Sequence, residues 1–161
     1  MSAYRAAVLV LSDRVAAGTR EDGCIPVVRE VLGAAFDVAH TRVLPDEPAA
    51  LQAELIELCD RANIPLVLTS GGTGLGPRDR TPQATAAVVD YEVPGFGEAM
   101  RAASLAHVPT AMLSRAIAGV RGSTLIVNLP GSPRAVRETL AVILPAIPHA
   151  LDLLADSVTD G

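Results

Sequence analysis

The 161-residue chain contains no lysine and no tryptophan, so all 13 of its basic residues are arginines. Two phenylalanines and two tyrosines are too few for the aromatic base-stacking surfaces of nucleic-acid-binding proteins. The formal net charge of −5 and the absence of a basic run also argue against a nucleic-acid partner. An anionic substrate would therefore have to be bound by local arginines, backbone amides or a metal ion.

Cysteines and long apolar runs are equally scarce. Cys24 and Cys59 belong to no C-x-x-C motif or Cys/His cluster, so we expect neither a disulfide framework nor a structural metal site. No apolar run approaches the ~20 residues of a membrane-spanning helix, and the apolar segment at residues 6–11 lacks the cleavage pattern of a signal peptide. These features predict a protein of the reducing cytoplasm that has no membrane partner.

Short apolar runs alternate with segments of helical periodicity, as in the βαβ units of a parallel sheet with helices on both faces. The length fits one domain over residues 1–161. The predicted strands are Ala6–Leu11, Phe36–Leu44, Leu66–Thr69 and Thr124–Leu129. The predicted helices are Ile25–Leu32, a helix opened by Pro48 that reaches Ala62, Pro82–Val89, Gly97–Ala106, and Pro133–Leu154, the last split or kinked by Pro145 and Pro148.

The most informative segment is LTSGGTGLGPRDRTP (68–82), where an apolar run ends in a glycine-rich turn. Four glycines within six positions allow successive N–H groups to point at one phosphate. Thr81 and Pro82 resemble an N-cap and the first residue of a helix, which places Asp79 just outside a helix N-terminus. The spacing fits neither a Walker loop nor a dinucleotide-binding loop. We interpret the segment as an anion-binding loop with a neighbouring carboxylate, and a plain strand-to-helix turn is the alternative.

Small or acidic residues follow four of the predicted strands. In open parallel sheets, ligands bind beyond the carboxyl ends of the strands. We therefore expect these four segments to form one site, although each alone is compatible with an ordinary turn. They are Ser12–Arg14, Pro45–Glu47, Ser70–Gly74 and Asn128–Pro133.

Six segments in order along the chain resemble the motifs of the molybdopterin adenylyltransferases and related molybdenum cofactor biosynthesis proteins, the MogA/MoaB group, and of the corresponding domain in gephyrin-like fusion proteins. The segments are SDR (12–14), PDE (45–47), TSGGTGLGPRDRTPQAT (69–85), PGFGEAMR (94–101), MLSRAIAG (112–119) and STLIVNLPGSPRAV (123–136). The resemblance implies a three-layer α/β/α domain, usually a homotrimer, that binds molybdopterin and ATP. It implies Mg²⁺-dependent transfer of AMP from ATP to the terminal phosphate of molybdopterin, with release of pyrophosphate, before a different protein or domain inserts molybdenum.

The resemblance also assigns site residues. It places the functional aspartates at Asp46 and Asp79, which would coordinate Mg²⁺ and orient the attacking phosphate; helix or turn capping is the alternative for each. Arg78 and Arg80 flank Asp79 and would steer anions or simply remain solvated. The segment Ser70, Gly71, Gly72, Thr73 and Gly74 would cradle the phosphate of molybdopterin. The remaining expected pocket residues are Asp13, Ser114, Arg115, Pro130, Gly131 and Ser132. Asp13 would hydrogen-bond the pterin or nucleotide edge or only form a turn, Arg115 would bind phosphate or face solvent, and Gly131 would line the pocket or serve backbone geometry alone.

Some assignments stay open. Cys24 stands where the related proteins usually carry Ser-Gly or Gly, and we expect it to be a small core thiol or one beside the pocket. Met100 and Met112 are expected in the core. Residues 94–98 would lie near the nucleotide pocket or a trimer contact, or only begin a helix. A non-catalytic trimer that binds molybdopterin or a biosynthetic partner is the first alternative function, and a pyrophosphatase or deamidase relative of the competence-damage type is the second. The presence of both Asp46 and Asp79 favours the enzyme.

Overall fold

The computed structural model of the protein describes residues 2–156, and its centre is a six-stranded mixed sheet. The strands are β1 (Tyr4–Leu11), β2 (Phe36–Leu44), β3 (Leu66–Ser70), β4 (Tyr91–Glu92), β5 (Ala118–Arg121) and β6 (Thr124–Leu129). Their order across the sheet is β2-β1-β3-β6-β5-β4. The first four in this order are parallel, whereas β5 is antiparallel to β6 and β4 is antiparallel to β5.

Helices cover both faces of the sheet. Within residues 2–156 the α-helices are α1 (Asp13–Ala16), α2 (Cys24–Leu32), α3 (Pro48–Ile56), α4 (Thr81–Val88), α5 (Pro94–Leu105), α6 (Pro133–Ile143) and α7 (Ile147–Leu154). A π-type turn over Glu57–Arg61 extends α3. None of these helices is long and apolar enough to span a bilayer.

The alternation of side chains along β1 shows how the layers form. Successive side chains of a strand point to opposite faces. Ala6, Val8 and Val10 join the core that includes buried residues of α2, α5, α6 and α7. Ala7, Leu9 and Leu11 join the core that includes buried residues of α3 and α4. Both faces of β1 are covered by helices, which explains why its apolar run is unbroken. The predicted three-layer α/β/α arrangement is therefore confirmed.

Most predicted elements are present with small shifts at their ends. The predicted interruption of the last helix is confirmed, since a 3₁₀ turn over Leu144–Ala146 separates α6 from α7 and contains Pro145. The predicted N-cap role of Thr81 is wrong. Arg80 occupies the N-cap position, and the Thr81 N–H, in the first residue of α4, donates to the Gly72 carbonyl at 3.1 Å.

Three features differ from the sequence prediction. Strands β4 and β5 were not predicted, because β4 has only two residues, both exposed, and β5 reads AGVR without a long apolar run. Helix α5 begins at Pro94 rather than Gly97, since proline is well suited to the first turn of a helix. Met100 is buried as expected, but Met112 is 66% exposed and therefore lies outside the core.

Candidate active site at the carboxyl ends of the parallel strands

The carboxyl ends of four parallel strands meet at one edge of the sheet. The Ser12 N–H donates to the Leu44 carbonyl at 3.0 Å, which joins the ends of β1 and β2. The Gly71 N–H donates to the Leu129 carbonyl at 3.1 Å, which joins the ends of β3 and β6. The four segments that follow these strands are therefore brought together, as the topology rule predicts.

The glycine loop, residues 71–80, connects β3 to α4 and needs glycine at its first two positions. Gly71 has φ +104° and Gly72 has φ +71°, both in the left-handed region. A Cβ on Gly71 would lie 2.3 Å from the Leu11 carbonyl oxygen, and one on Gly72 would lie 2.2 Å from Thr81 Oγ1. Both residues therefore let the loop pass closely over the end of β1 and the start of α4.

The glycine loop also passes directly beside both predicted catalytic carboxylates. A Cβ on Gly72 would lie 3.5 Å from Asp46 Oδ1. A Cβ on Gly74 or Gly76 would lie 3.1 or 2.8 Å from Asp79 Oδ2. The absence of side chains at these glycines lets both carboxylates lie close to the loop backbone.

Asp46 is held by Asp13. The Asp13 N–H donates to Asp46 Oδ2 at 3.0 Å, and the Asp46 N–H donates to Asp13 Oδ1 at 2.9 Å. The Arg78 guanidinium donates to both oxygens of Asp13, each at 2.9 Å, and to Glu47 Oε1 at 3.0 Å. We call Asp13, Asp46, Glu47 and Arg78 the carboxylate side of the site. The Asp13 carboxylate, expected to bind substrate, is thus already engaged by protein donors.

The two paired aspartates have opposite pKa shifts. The hydrogen bonds from Arg78 hold the pKa of Asp13 below its usual value, and the Asp46 N–H acts in the same direction. Loss of hydration on burial raises the pKa of Asp46, and the negative charges of Asp13 and Asp79 add to this rise. A nearby cation would counteract this rise, because it favours the ionised form of Asp46.

Arg115 fixes the far part of the glycine loop. Its N–H donates to the Thr73 carbonyl at 2.9 Å, its Nε donates to the Gly74 carbonyl at 2.9 Å, and its Nη2 donates to the Asp79 carbonyl at 2.6 Å. The Asp79 side chain accepts the Gly76 N–H at 2.9 Å. Arg115, predicted as a phosphate ligand, therefore anchors the segment that carries Asp79 by binding its carbonyl groups.

A cavity of about 370 Å³ opens beside the glycine loop. Five of the predicted substrate-binding residues line it, and we call them the cavity side of the site: Thr73, Gly74, Ser114, Pro130 and Ser132. Ser132 also caps α6, since its Oγ accepts the Ala135 N–H at 3.2 Å. Gly74 connects the two sides, because it lines the cavity and lies against the Asp79 carboxylate.

Sequence reasoning missed several polar residues of this cavity. Arg101 lines it and donates from Nη1 to the Ala116 carbonyl at 2.9 Å and to the Ser114 carbonyl at 3.3 Å. Residues 94–98 were expected near the nucleotide pocket or a trimer contact, and Gly97 does line the cavity. Arg101 lies one helical turn after Gly97 on the same face of α5, so its position could have been predicted from that spacing. Thr110 and Glu138 also line the cavity, but they belong to no recognisable motif.

Ser70, Gly131 and Cys24 form the floor of a second, smaller cavity of about 140 Å³. The buried Ser70 Oγ donates to the Pro130 carbonyl at 2.8 Å, so it supports the backbone of the site. The Cys24 thiol donates to the Gly131 carbonyl at 3.4 Å, and burial raises the pKa of this thiol. Cys24 is therefore a buried core thiol that also lines this second cavity, which combines the two sequence interpretations.

The carboxylates suit a magnesium ion that is shared with a substrate. Among residues 2–156, no three His, Cys, Asp or Glu side chains are grouped closely enough to form a complete metal site. Mg²⁺ commonly binds to one or two carboxylates while water and substrate phosphates complete its octahedral shell. Asp46, which lies beside the glycine loop, and Asp79, which belongs to it, match this pattern of hard oxygen ligands.

Comparisons with known proteins agree on one family. Residues 7–149 match the family described as "Probable molybdopterin binding domain". The molybdopterin adenylyltransferase of Escherichia coli K12 is 47% identical, covering 87% of this chain and 73% of that protein, and the Helicobacter pylori J99 protein of the same name is 43% identical, covering 96% and 89%. The crystal structure of the molybdopterin biosynthesis enzyme MoaB from Thermus thermophilus has a TM-score of 0.91 and 49% identity, covering 95% of this chain and 97% of that chain.

Proposed function

The chain belongs to the molybdopterin-binding family of molybdenum cofactor biosynthesis proteins, and we propose on this basis that it is a molybdopterin adenylyltransferase. The observation that carries the proposal is the position of Asp46 and Asp79 beside a glycine loop that also borders a cavity of about 370 Å³. This volume lies in the range of small-molecule sites. The adenylyltransferases that are 43–47% identical to this chain support the same reaction.

The glycine loop and the cavity side receive molybdopterin. Backbone N–H groups over residues 72–74 and the Thr73 hydroxyl are donors suited to its terminal phosphate, whereas the Gly71 N–H is already bonded to the Leu129 carbonyl. Ser114 and the Pro130–Ser132 segment form the neighbouring walls, while Arg115 holds the loop in place through its carbonyl groups. Positioning of the phosphate is the main contribution of this side.

The carboxylate side acts on the triphosphate. An oxygen of the molybdopterin phosphate attacks the α-phosphorus of ATP, a new P–O bond forms, and the bond from the α-phosphorus to the bridging oxygen breaks with its electron pair leaving on pyrophosphate. The attacking phosphate is already anionic, so no general base is needed. Asp46 and Asp79 would hold Mg²⁺, and a bound Mg²⁺ would offset the negative charge of the triphosphate and the leaving group. The residues themselves orient the two anions for in-line transfer.

Other expectations remain parts of this proposal. We propose that residues 1–161 act as one domain and that the protein is a cytoplasmic homotrimer whose product passes to a molybdenum-insertion protein. Four apolar side chains near the cavity, at positions 105, 108, 112 and 113, are 43–66% exposed and offer a surface for subunit contact. Light scattering after size-exclusion chromatography tests the trimer.

The direct test of the proposed function is a product assay. The purified protein is mixed with molybdopterin, ATP and Mg²⁺, and adenylylated molybdopterin and pyrophosphate are measured. We expect both products in equal amounts and their loss when the metal is chelated. Tight binding of molybdopterin by folded protein without either product would support the non-catalytic binding protein instead. Release of pyrophosphate without molybdopterin would support the nucleotide pyrophosphatase alternative.

A further inference from the structure

Arg78 connects three of the loops that form the site. It lies next to Asp79 in the glycine loop, but its guanidinium extends to the segments that follow β1 and β2. It forms a bidentate pair with Asp13, with both nitrogen-to-oxygen distances at 2.9 Å, and a third bond of 3.0 Å with Glu47. Its positive charge is therefore engaged by protein carboxylates and is not directed at a substrate anion.

The partner of Arg78 in turn fixes Asp46. Asp13 Oδ1 accepts both an Arg78 N–H and the Asp46 N–H, and the Asp13 N–H donates to Asp46 Oδ2 at 3.0 Å. The second oxygen, Asp46 Oδ1, is the one that lies against Gly72. One oxygen of Asp46 is thus held by the backbone, and the other is oriented toward the glycine loop.

We propose that Arg78 and Asp13 are positioning residues for Asp46, and that Arg78 does not bind substrate anions. Arg78 holds the Asp13 carboxylate, Asp13 holds the backbone and side chain of Asp46, and Asp46 Oδ1 is thereby directed toward the metal ion of the reaction. Because Arg78 precedes Asp79 in the chain, the same bonds tie the backbone next to Asp79 to the segments that follow β1 and β2. This inference rests on the proposed function, since it takes Asp46 as a metal ligand.

Arg78 and Asp13 resemble the groups in metal sites that hydrogen-bond to a metal ligand, and so orient it, without touching the ion. Groups that orient a ligand typically change metal affinity or activity by about 10- to 100-fold when they are removed. An exposed ion pair contributes little to folding, so its loss is expected to move the carboxylate without unfolding the protein. Arg78 and Asp13 are both about half exposed, at 53% and 44%.

The chain supplies a matched control. Arg137 forms the same kind of exposed bidentate pair with Glu30, at 3.2 and 2.7 Å, and joins α6 to α2 on the outer face of the fold. Arg137→Ala removes an equivalent guanidinium without touching the site. Arg78→Lys keeps the charge but loses the bidentate geometry, because an ammonium group cannot donate in a fork.

The test compares Arg78→Ala, Arg78→Lys, Asp13→Asn and Arg137→Ala with the natural protein. Binding of Mn²⁺ in the presence of α,β-methylene-ATP, which cannot transfer AMP, is followed by electron paramagnetic resonance. We expect Arg78→Ala to weaken Mn²⁺ binding and to raise the apparent KM for Mg²⁺, each by about 10-fold or more. Arg78→Lys falls in between, Asp13→Asn acts in the same direction, and Arg137→Ala changes neither quantity. The dissociation constant of molybdopterin stays the same in all four variants.

The outcomes separate this inference from the proposed function. Unchanged Mn²⁺ binding and Mg²⁺ dependence in Arg78→Ala would overturn the positioning role while leaving the adenylyltransferase intact. Weaker molybdopterin binding at unchanged metal affinity would also overturn it and make Arg78 an anion ligand. If the natural protein binds Mn²⁺ with the nucleotide but forms no product, the proposed function fails and the Mn²⁺ comparison still decides the role of Arg78. If Arg78→Ala does not fold, Arg78→Lys and Asp13→Asn decide the question.

Discussion

The carboxylate side and the cavity side of the site differ in whether their polar groups already have hydrogen-bond partners within the protein. On the carboxylate side, Asp13, Asp46, Glu47 and Arg78 bond to one another at 2.9–3.0 Å. On the cavity side, Thr73, Ser114 and Ser132 border an open volume of about 370 Å³. The first arrangement is organised before any ligand arrives, which favours transition-state stabilisation; the second leaves donors for a ligand to use, which favours binding.

The largest expected effect is on turnover at the carboxylate side. Asp46→Asn removes a negative charge that holds the metal ion, and we expect kcat to fall by about 10²–10³-fold, the range for losing one electrostatic stabiliser. Molybdopterin binding, measured by titration calorimetry, should not change. Asp37→Asn is the control, because Asp37 is an exposed aspartate near the opposite end of β2. Comparable loss in both variants would show that the effect is not specific to the site.

The next effect concerns the glycine loop, which contributes Arg78 to the carboxylate side and Thr73 and Gly74 to the cavity side. A Cβ on Gly71 would lie 2.3 Å from the Leu11 carbonyl oxygen at a φ of +104°. We expect Gly71→Ala to destabilise the fold by about 1–3 kcal/mol through overpacking and to reduce turnover as well as binding. Gly95→Ala provides the contrast, because nothing lies within 4 Å of a Cβ at that helical position. Thermal and urea unfolding would measure both, and equal stability of the two variants would contradict this view of the loop.

A smaller effect should appear at the cavity side. Thr73→Ala removes one hydroxyl donor to the molybdopterin phosphate. The net value of such a hydrogen bond, about 0.5–1.5 kcal/mol, corresponds to a Kd weakened by about 2- to 10-fold. The value of kcat at saturating molybdopterin should be retained, which steady-state kinetics would establish. A fall in kcat at unchanged Kd would place Thr73 with the catalytic groups and break the division between the two sides.

The smallest effect is expected at Cys24. Cys24→Ser keeps the size of the side chain and a donor for the Gly131 carbonyl, so stability should change by less than about 1.5 kcal/mol. Turnover should not change. The raised pKa of the Cys24 thiol also predicts slow alkylation near neutral pH, with a rate that rises only as the pH passes above the usual thiol range. Rapid alkylation of Cys24 at neutral pH would contradict its protonated, buried state.

The sequence was sufficient to predict the positions of residues that depend only on the local sequence pattern and on the order of the strands. The unbroken apolar run of β3 and the glycines after it placed the loop at the correct sheet edge, and the parallel order placed the PDE and SDR segments beside it. Strand β5 was missed because Ala118 and Gly119 have low strand propensity; Gly119 is required there, since a Cβ would lie 2.7 Å from Val89 Cγ1. The hairpin that joins β5 to β6 has a two-residue turn in which Gly122 has φ +59°. A glycine in such a turn is a sequence pattern from which the hairpin could have been predicted.

Side-chain partners were beyond sequence reasoning. Asp13 and Arg78 are 65 positions apart, and no periodicity links them. Asp13 was therefore expected either to face the substrate or only to form a turn, whereas its carboxylate is bonded to Arg78 and to the Asp46 N–H. Met112 was expected in the core because methionine is usually buried, but it lies in an exposed 3₁₀ segment, Pro109–Leu113. Such placements depend on which loops the tertiary fold brings together.

The measurement that tests the central claim most directly is made on Asp79→Asn, with molybdopterin binding and adenylyl transfer followed in the same preparation. Asp79 adjoins both sides, since its carboxylate lies against Gly74 of the cavity. If the two sides divide the work as proposed, the variant binds molybdopterin with the affinity of the natural protein and forms no adenylylated product. Turnover that persists in Asp79→Asn, or binding that is lost together with turnover, would contradict that division.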